Sequence, residues 1–132
     1  MEIKRDYYLN ELIDRIDNGL IKIITGIRRC GKSYLLDPIF KEYLISQGIE
    51  KDHIIKLSLD ERANNKYLDP DVLDEYIRSL IIDDKKYYLI LDEIQQVKEF
   101  ESVLIGFMHI KNLEIYVTGS NSKFLSSDII TE

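Results

Sequence analysis

The sequence predicts an α/β protein, a parallel sheet with helices on both faces, and three observations carry that expectation. Short β-branched runs alternate along the chain with segments of helical period. The run Tyr87-Tyr88-Leu89-Ile90-Leu91 is continuously apolar, as suits a central parallel strand covered on both sides. Residues 26–33, Gly-Ile-Arg-Arg-Cys-Gly-Lys-Ser, fit G-x-x-x-x-G-K-[ST] and lie between a strand run and a helix run.

The elements follow in order. Leu9, Leu12, Ile13 and Ile16 share one face of a first helix, closed by Asn18-Gly19. Residues 20–25 form the first strand and lead into the glycine-rich loop. A helix then runs to about Gln47, with Gly48 beyond it; Pro38 is expected to kink it near its second turn. Ile54 to Leu59 is the second strand. Asp69-Pro70 supplies an N-cap and a first-turn proline to a helix ending near Ile82. The apolar run 87–91 is the third strand. Phe100, Val103, Leu104, Phe107 and Met108 keep a helical period, and Leu113 to Thr118 is the fourth strand. Strands joined through helices require right-handed crossovers, so the binding crevice lies at the carboxyl ends of the strands.

The 132 residues suffice for one core. A net charge of −6 argues against a general nucleic-acid binder, leaving only a local basic patch open. The single cysteine, Cys30, excludes an internal disulfide and suits a reducing cytosol, so a cytoplasmic location is expected. No apolar run approaches the length of a membrane span, and the charged start is not a signal peptide; no membrane partner is expected.

The loop motif assigns a task to each fixed position. Gly26 and Gly31 allow a tight turn that aims N–H groups at phosphate oxygens. Lys32 brings a positive charge to the β- and γ-phosphates, and the Ser33 hydroxyl completes a Mg²⁺ shell. The phosphate-binding stretch comprises Gly26, Ile27, Arg28, Arg29, Cys30, Gly31, Lys32, Ser33 and Tyr34. Asp92 and Glu93 directly follow the third strand, which places both acids at its carboxyl end. Asp92 suits the outer Mg²⁺ shell, and Glu93 is placed to polarise an attacking water. The segment Val117-Thr118-Gly119-Ser120-Asn121 ends the fourth strand; a polar side chain there could reach the γ-phosphate or the water, or merely form a turn and a helix cap.

Other residues read more plainly. Arg28 and Arg29 are by default solvated loop arginines, and Cys30 is a packing position ahead of a redox one despite its loop setting. His53 and His109 have no second ligand at a useful spacing. The nine tyrosines lack an interleaved basic stripe and read as core and rim. Asp60-Glu61-Arg62, at the end of the second strand, is by default a solvated loop.

GIRRCGKS, YYLILDEIQ, VTGSNS and IKRDYYLNELI together resemble the AAA-type ATPases of bacteria and archaea in which an ATPase core precedes a poorly characterised C-terminal domain. These belong to the P-loop ATPases with an added strand and a catalytic glutamate. The resemblance implies that Gly26 to Ser33 is the Walker A segment, with Lys32 catalytic, and that Asp92-Glu93 is the Walker B pair. It makes Asn121 the sensor 1 residue, with Ser120 its rival, and it implies the strand order 2-3-4-1 with a fifth strand beyond the first. The chain ends at Glu132, so the fifth strand, the helical lid, any later arginine finger and sensor 2, and the further domain are expected to be missing. The whole would then be a truncated P-loop NTPase core with the first strand at the sheet edge. The implied ligands are ATP and Mg²⁺, and the implied activity is ATP hydrolysis coupled to an unknown task, with self-association or a partner protein engaged through the missing regions. A non-catalytic nucleotide switch and a small-molecule kinase are the alternatives; ATP is favoured over GTP because no Asn-Lys-x-Asp segment is present.

Overall fold

The computed structural model describes residues 2–25, 35–119 and 128–131. Five strands, β1 (Lys22–Thr25), β2 (Ile54–Ser58), β3 (Tyr87–Asp92), β4 (Leu113–Thr118) and β5 (Asp128–Thr131), form one sheet in the order β2-β3-β4-β1-β5. Every neighbouring pair is parallel. The α/β class and the order 2-3-4-1 are therefore as expected.

The fifth strand is a correction. It is present and pairs with β1 from Lys22↔Asp128 to Thr25↔Thr131. Its sequence, Asp128-Ile129-Ile130-Thr131, holds two adjacent apolar residues, too few to display a period. The expectation that β1 would lie at the edge falls with it: β1 has β4 on one side and β5 on the other.

Alternating side chains divide the core in two. On one face Ile23, Leu89, Leu91, Ile115 and Val117 pack against the helices Pro70–Leu80 and Phe100–Met108, through Leu73, Ile77, Val103 and Phe107. On the other, Ile24, Tyr88, Ile90 and Tyr116 meet Leu12 of the helix Glu2–Asp14 and Leu35, Leu36, Phe40 and Leu44 of the segment 35–46. β3 and β4 are buried along their whole length, which explains the unbroken apolar run 87–91 and, in β4, requires partners for Glu114 and Thr118. Among the described residues, no helix is long and apolar enough to cross a membrane.

Local signals act as their chemistry requires. The Asp69 carboxylate accepts from the N–H groups of Asp71 and Val72, at 2.9 and 3.3 Å, and caps the helix that Pro70 opens. Pro38 does more than kink a helix. The residue before it, Asp37, is forced into an extended backbone (φ −143°, ψ 111°), and a regular helix restarts only at Lys41–Ser46. The chain then turns at Gly48, whose φ of 95° favours a residue without a Cβ.

Candidate functional site

The carboxyl ends of β3, β4 and β1 lie side by side, because β4 is paired with both of the others. Leu91 of β3 is in register with Val117 of β4, and Thr118 of β4 with Ile24 of β1. β1 and β4 therefore end at the same edge of the sheet where β3 delivers Asp92 and Glu93. The proposed phosphate contacts at Gly26 to Tyr34, and Ser120 and Asn121, lie outside the described residues, as does Glu132.

Asp92 and Glu93 are both buried, at 3 % and 7 % exposure. Carboxylates are rarely buried without partners, and here each partner is visible. The Thr118 hydroxyl donates to Asp92 Oδ1 at 3.0 Å and accepts from the Glu93 N–H at 3.0 Å. One hydroxyl thereby fixes both acids to β4. The other Asp92 oxygen, Oδ2, faces the Lys56 ammonium at 3.7 Å. That ammonium also donates to Ser58 Oγ at 3.0 Å and lies 3.9 Å from Asp37 Oδ2. Glu93 Oε1 accepts from the Gln95 amide at 2.7 Å.

The backbone of Glu93 is left-handed, with φ 57° and ψ 54°. For a residue with a Cβ this costs on the order of 1–2 kcal/mol and persists only where surroundings impose it. The strain turns the chain sharply out of β3 into the short turn Ile94–Gln96. Ile94 then drops into the core beneath the sheet, and the carboxylate stays at the edge.

Lys56, Asp37 and Gln95 are not site residues on the sequence alone, and Thr118 enters there only within the segment 117–121, not as the partner of the two acids. Thr118 carries the one available signal: it is the polar end of the apolar run Ile115-Tyr116-Val117. The role of Lys56 depends on β2 lying next to β3, and that of Asp37 on the break before Pro38.

Away from this edge, His53 is 5 % exposed. Its Nε2 is 2.9 Å from Asp83 Oδ2 and its Nδ1 is 2.7 Å from Asp52 Oδ1 and 3.4 Å from Glu50 Oε1. The histidine thus has several acids within ligand reach, and Glu50 and Asp52 converge on it. A carboxylate lies at each ring nitrogen, an arrangement in which the protonated imidazole donates from both and the acids serve as its counterions. The Asp83 bond, helped by Asp52, raises the His53 pKa above 6.5 against the opposing effect of burial. The loop 60–62 is exposed, in keeping with the solvated reading.

Comparison with known proteins adds the family. A family model described as an AAA domain matches residues 18–132. An uncharacterized protein of Haemophilus influenzae is 33 % identical over 130 residues, 98 % of this chain and 32 % of its own length. Two uncharacterized proteins of Methanocaldococcus jannaschii are 32 % and 31 % identical over 115 and 119 residues, covering 23 % and 25 % of their lengths. This chain therefore spans at most about a third of these relatives. The solved structure of PCH-2 from C. elegans is similar with a TM-score of 0.62, over 95 % of this chain and 39 % of that one, at 16 % identity, a likeness that concerns the fold. The alternating parallel sheet, the acids at its carboxyl edge and the match over residues 18–132 converge on one conclusion: this chain, a nucleotide-binding, ATPase-like module, belongs to the AAA domain family.

Proposed function

We propose that this module binds ATP with Mg²⁺ and hydrolyses it in the full-length protein, as a member of the additional-strand, catalytic-glutamate class whose core is followed by a further domain. The observation that carries the reading is the buried, strained Asp92-Glu93 pair, held by Thr118 at the edge where β1 runs into the glycine-rich loop. A solvated pair of acids after a strand would need neither burial nor strain.

The donor set fits a hard divalent cation. Asp92 keeps Oδ1 on Thr118 and turns Oδ2 toward a cationic group, the Lys56 ammonium at 3.7 Å. Asp92 and the Ser33 hydroxyl would hold Mg²⁺, which when bound neutralises charge on the phosphate oxygens. Gly26 to Tyr34 would cradle the phosphates with backbone N–H groups, and Lys32 would bond the β- and γ-oxygens. Glu93 would accept the proton of the water that attacks the γ-phosphorus, and Asn121, or Ser120, would hold that water or the γ-phosphate. The products are ADP and inorganic phosphate. Lid, arginine finger and sensor 2 are assigned to chain outside residues 1–132, as are contacts with other copies or partners, and the cytoplasm is the proposed location.

Two substitutions in the full-length protein test this. Glu93→Gln keeps shape and hydrogen bonding but removes the base, so ATP binding should persist while steady-state phosphate release disappears. Lys32→Ala should weaken binding of a fluorescent ATP analogue about 10- to 150-fold, for a charge-assisted bond of about 1.5–3 kcal/mol. Turnover at the parent rate by Glu93→Gln overturns the catalytic reading, and unchanged affinity in Lys32→Ala overturns the phosphate site.

A further inference from the structure

Gln95 stands two residues beyond Glu93, in the turn Ile94–Gln96. The turn is firmly seated. Ile94 is fully buried and Val97 nearly so. The Gln96 N–H donates to the Glu93 carbonyl at 3.1 Å and the Val97 N–H to the Ile94 carbonyl at 3.0 Å. From this base the Gln95 Nε2 donates to Glu93 Oε1 at 2.7 Å. The other end of the same amide gains nothing: Gln95 Oε1 is buried and without a hydrogen-bond partner among the described residues. An unsatisfied buried carbonyl is destabilising, and a methionine of similar length would avoid it. The bond that fixes the amide is therefore the one to Glu93.

We propose that Gln95 is a positioning residue for the reaction: its amide holds Glu93 Oε1 and leaves Oε2 as the oxygen that receives the proton of the attacking water. The inference rests on the reading of Glu93 as that base. Glu93 has three rotatable side-chain bonds on a left-handed backbone, and the described structure fixes its carboxylate through Gln95 alone. Misplacement of a catalytic group by about 1 Å is worth on the order of a hundredfold in rate. Because Gln95 acts on the base and not on the nucleotide, its loss should appear in kcat and not in KM.

The test uses the full-length protein carrying Gln95→Met, which keeps length and loses the donor, and Gln95→Asn, which keeps the amide but is too short to reach. Both should fold with the parent melting temperature, lower kcat about 10- to 100-fold and leave KM for ATP within about twofold. In the nucleotide-free protein, Glu93→Ala should move the Gln95 side-chain amide signals in a ¹⁵N spectrum, which reports the contact without any turnover. Parent kcat in both Gln95 variants, with Glu93→Gln inactive, overturns this inference and leaves the base reading standing. Parent turnover by Glu93→Gln overturns the base reading and this inference with it. Losses confined to KM or to melting temperature, or unmoved amide signals, also overturn it.

Discussion

The hydroxyl of Thr118 serves two groups at once, the Asp92 carboxylate and the Glu93 N–H. Thr118→Val keeps the β-branched shape that suits a buried strand and removes the only donor and acceptor at that point. Both partners are buried, so the loss should cost about 1–3 kcal/mol. Thr118→Ser should recover most of it. Urea denaturation of the two variants measures this, and a Thr118→Val cost below about 0.5 kcal/mol would show that the bridge contributes nothing. Thr118 also shows how far residues can be read alone. Asp92 and Glu93 were legible because they follow an unbroken apolar run. Thr118 is legible only as one polar residue of the segment 117–121, while Lys56 and Gln95 acquire meaning from their neighbours in space: the first from strand pairing, the second from a turn that a strained residue starts.

At the scale of elements, β1 and β4 are joined at their amino ends by charge. Lys22, which in the sequence merely interrupts an apolar run, is 1 % exposed. Its ammonium lies 2.7 Å from Glu114 Oε1, donates to the Leu20 carbonyl at 2.8 Å and sits 5.0 Å above the Tyr116 ring. Lys86 approaches Glu114 Oε2 at 3.4 Å and is paired with Asp17. The bond from Lys86 lowers the Asp17 pKa, and although burial opposes it, the pairing with Asp17 and Glu114 raises that of Lys86. Burial, reinforced by Glu114, pushes the Tyr116 phenol far above its usual range. Removing one partner of a buried pair strands the other, at about 3–5 kcal/mol, whereas removing both costs less. Glu114→Gln should therefore be the worse single change, since it strands Lys22, while Lys22→Met leaves Glu114 with Lys86. The double variant should lose less than the sum of the two. A thermodynamic cycle with strictly additive losses would show that the pair is not coupled. Secondary structure was legible at this scale for β1 to β4 and for the helices Glu2–Asp14, Pro70–Leu80 and Phe100–Met108, because burial on two faces or on one leaves a distinct period, but not for the short helical segment Arg62–Leu68. The short β5 and the break at Asp37 were not, since two apolar residues show no period and the consequence of Pro38 depends on what packs around it.

Across the whole molecule, His53 clamps the start of β2 to the loop that precedes β3, through Asp83 and over the ring of Tyr87 at 4.3 Å. Its raised pKa makes the clamp pH-dependent, with a definite sign. A group bound more tightly as the cation in the folded state stabilises fully below its unfolded value, about 6.5, and the contribution fades as pH rises through the higher folded value. Asp83 titrates the other way: burial favours its neutral form, but the bond and charge of His53 together with the Lys85 N–H and charge outweigh this and lower its pKa below 3.8. The clamp is thus present from above the carboxylate range to about pH 6.5. The melting temperature of the parent, measured against His53→Gln, should show an advantage at pH 5.5 that shrinks by pH 8.5. A constant difference across that range would show that the imidazolium is not what holds the two segments.

The chemistry on β4 also guards against misfolding. Glu114, Tyr116 and Thr118 alternate with Leu113, Ile115 and Val117, so the strand carries an ion-pair partner at its start and a hydroxyl bridge at its end on one face. A slip of one residue would turn all six side chains over. It would strand Lys22 at one end and Asp92 at the other, and press Glu114 into hydrocarbon. Strands rich in isoleucine and valine have many pairings of similar hydrophobic merit. Two polar checkpoints at opposite ends of one strand leave a single alignment that satisfies both, so the charges that look wasted on stability act as proofreading for the register that sets the acids at the carboxyl edge of the sheet.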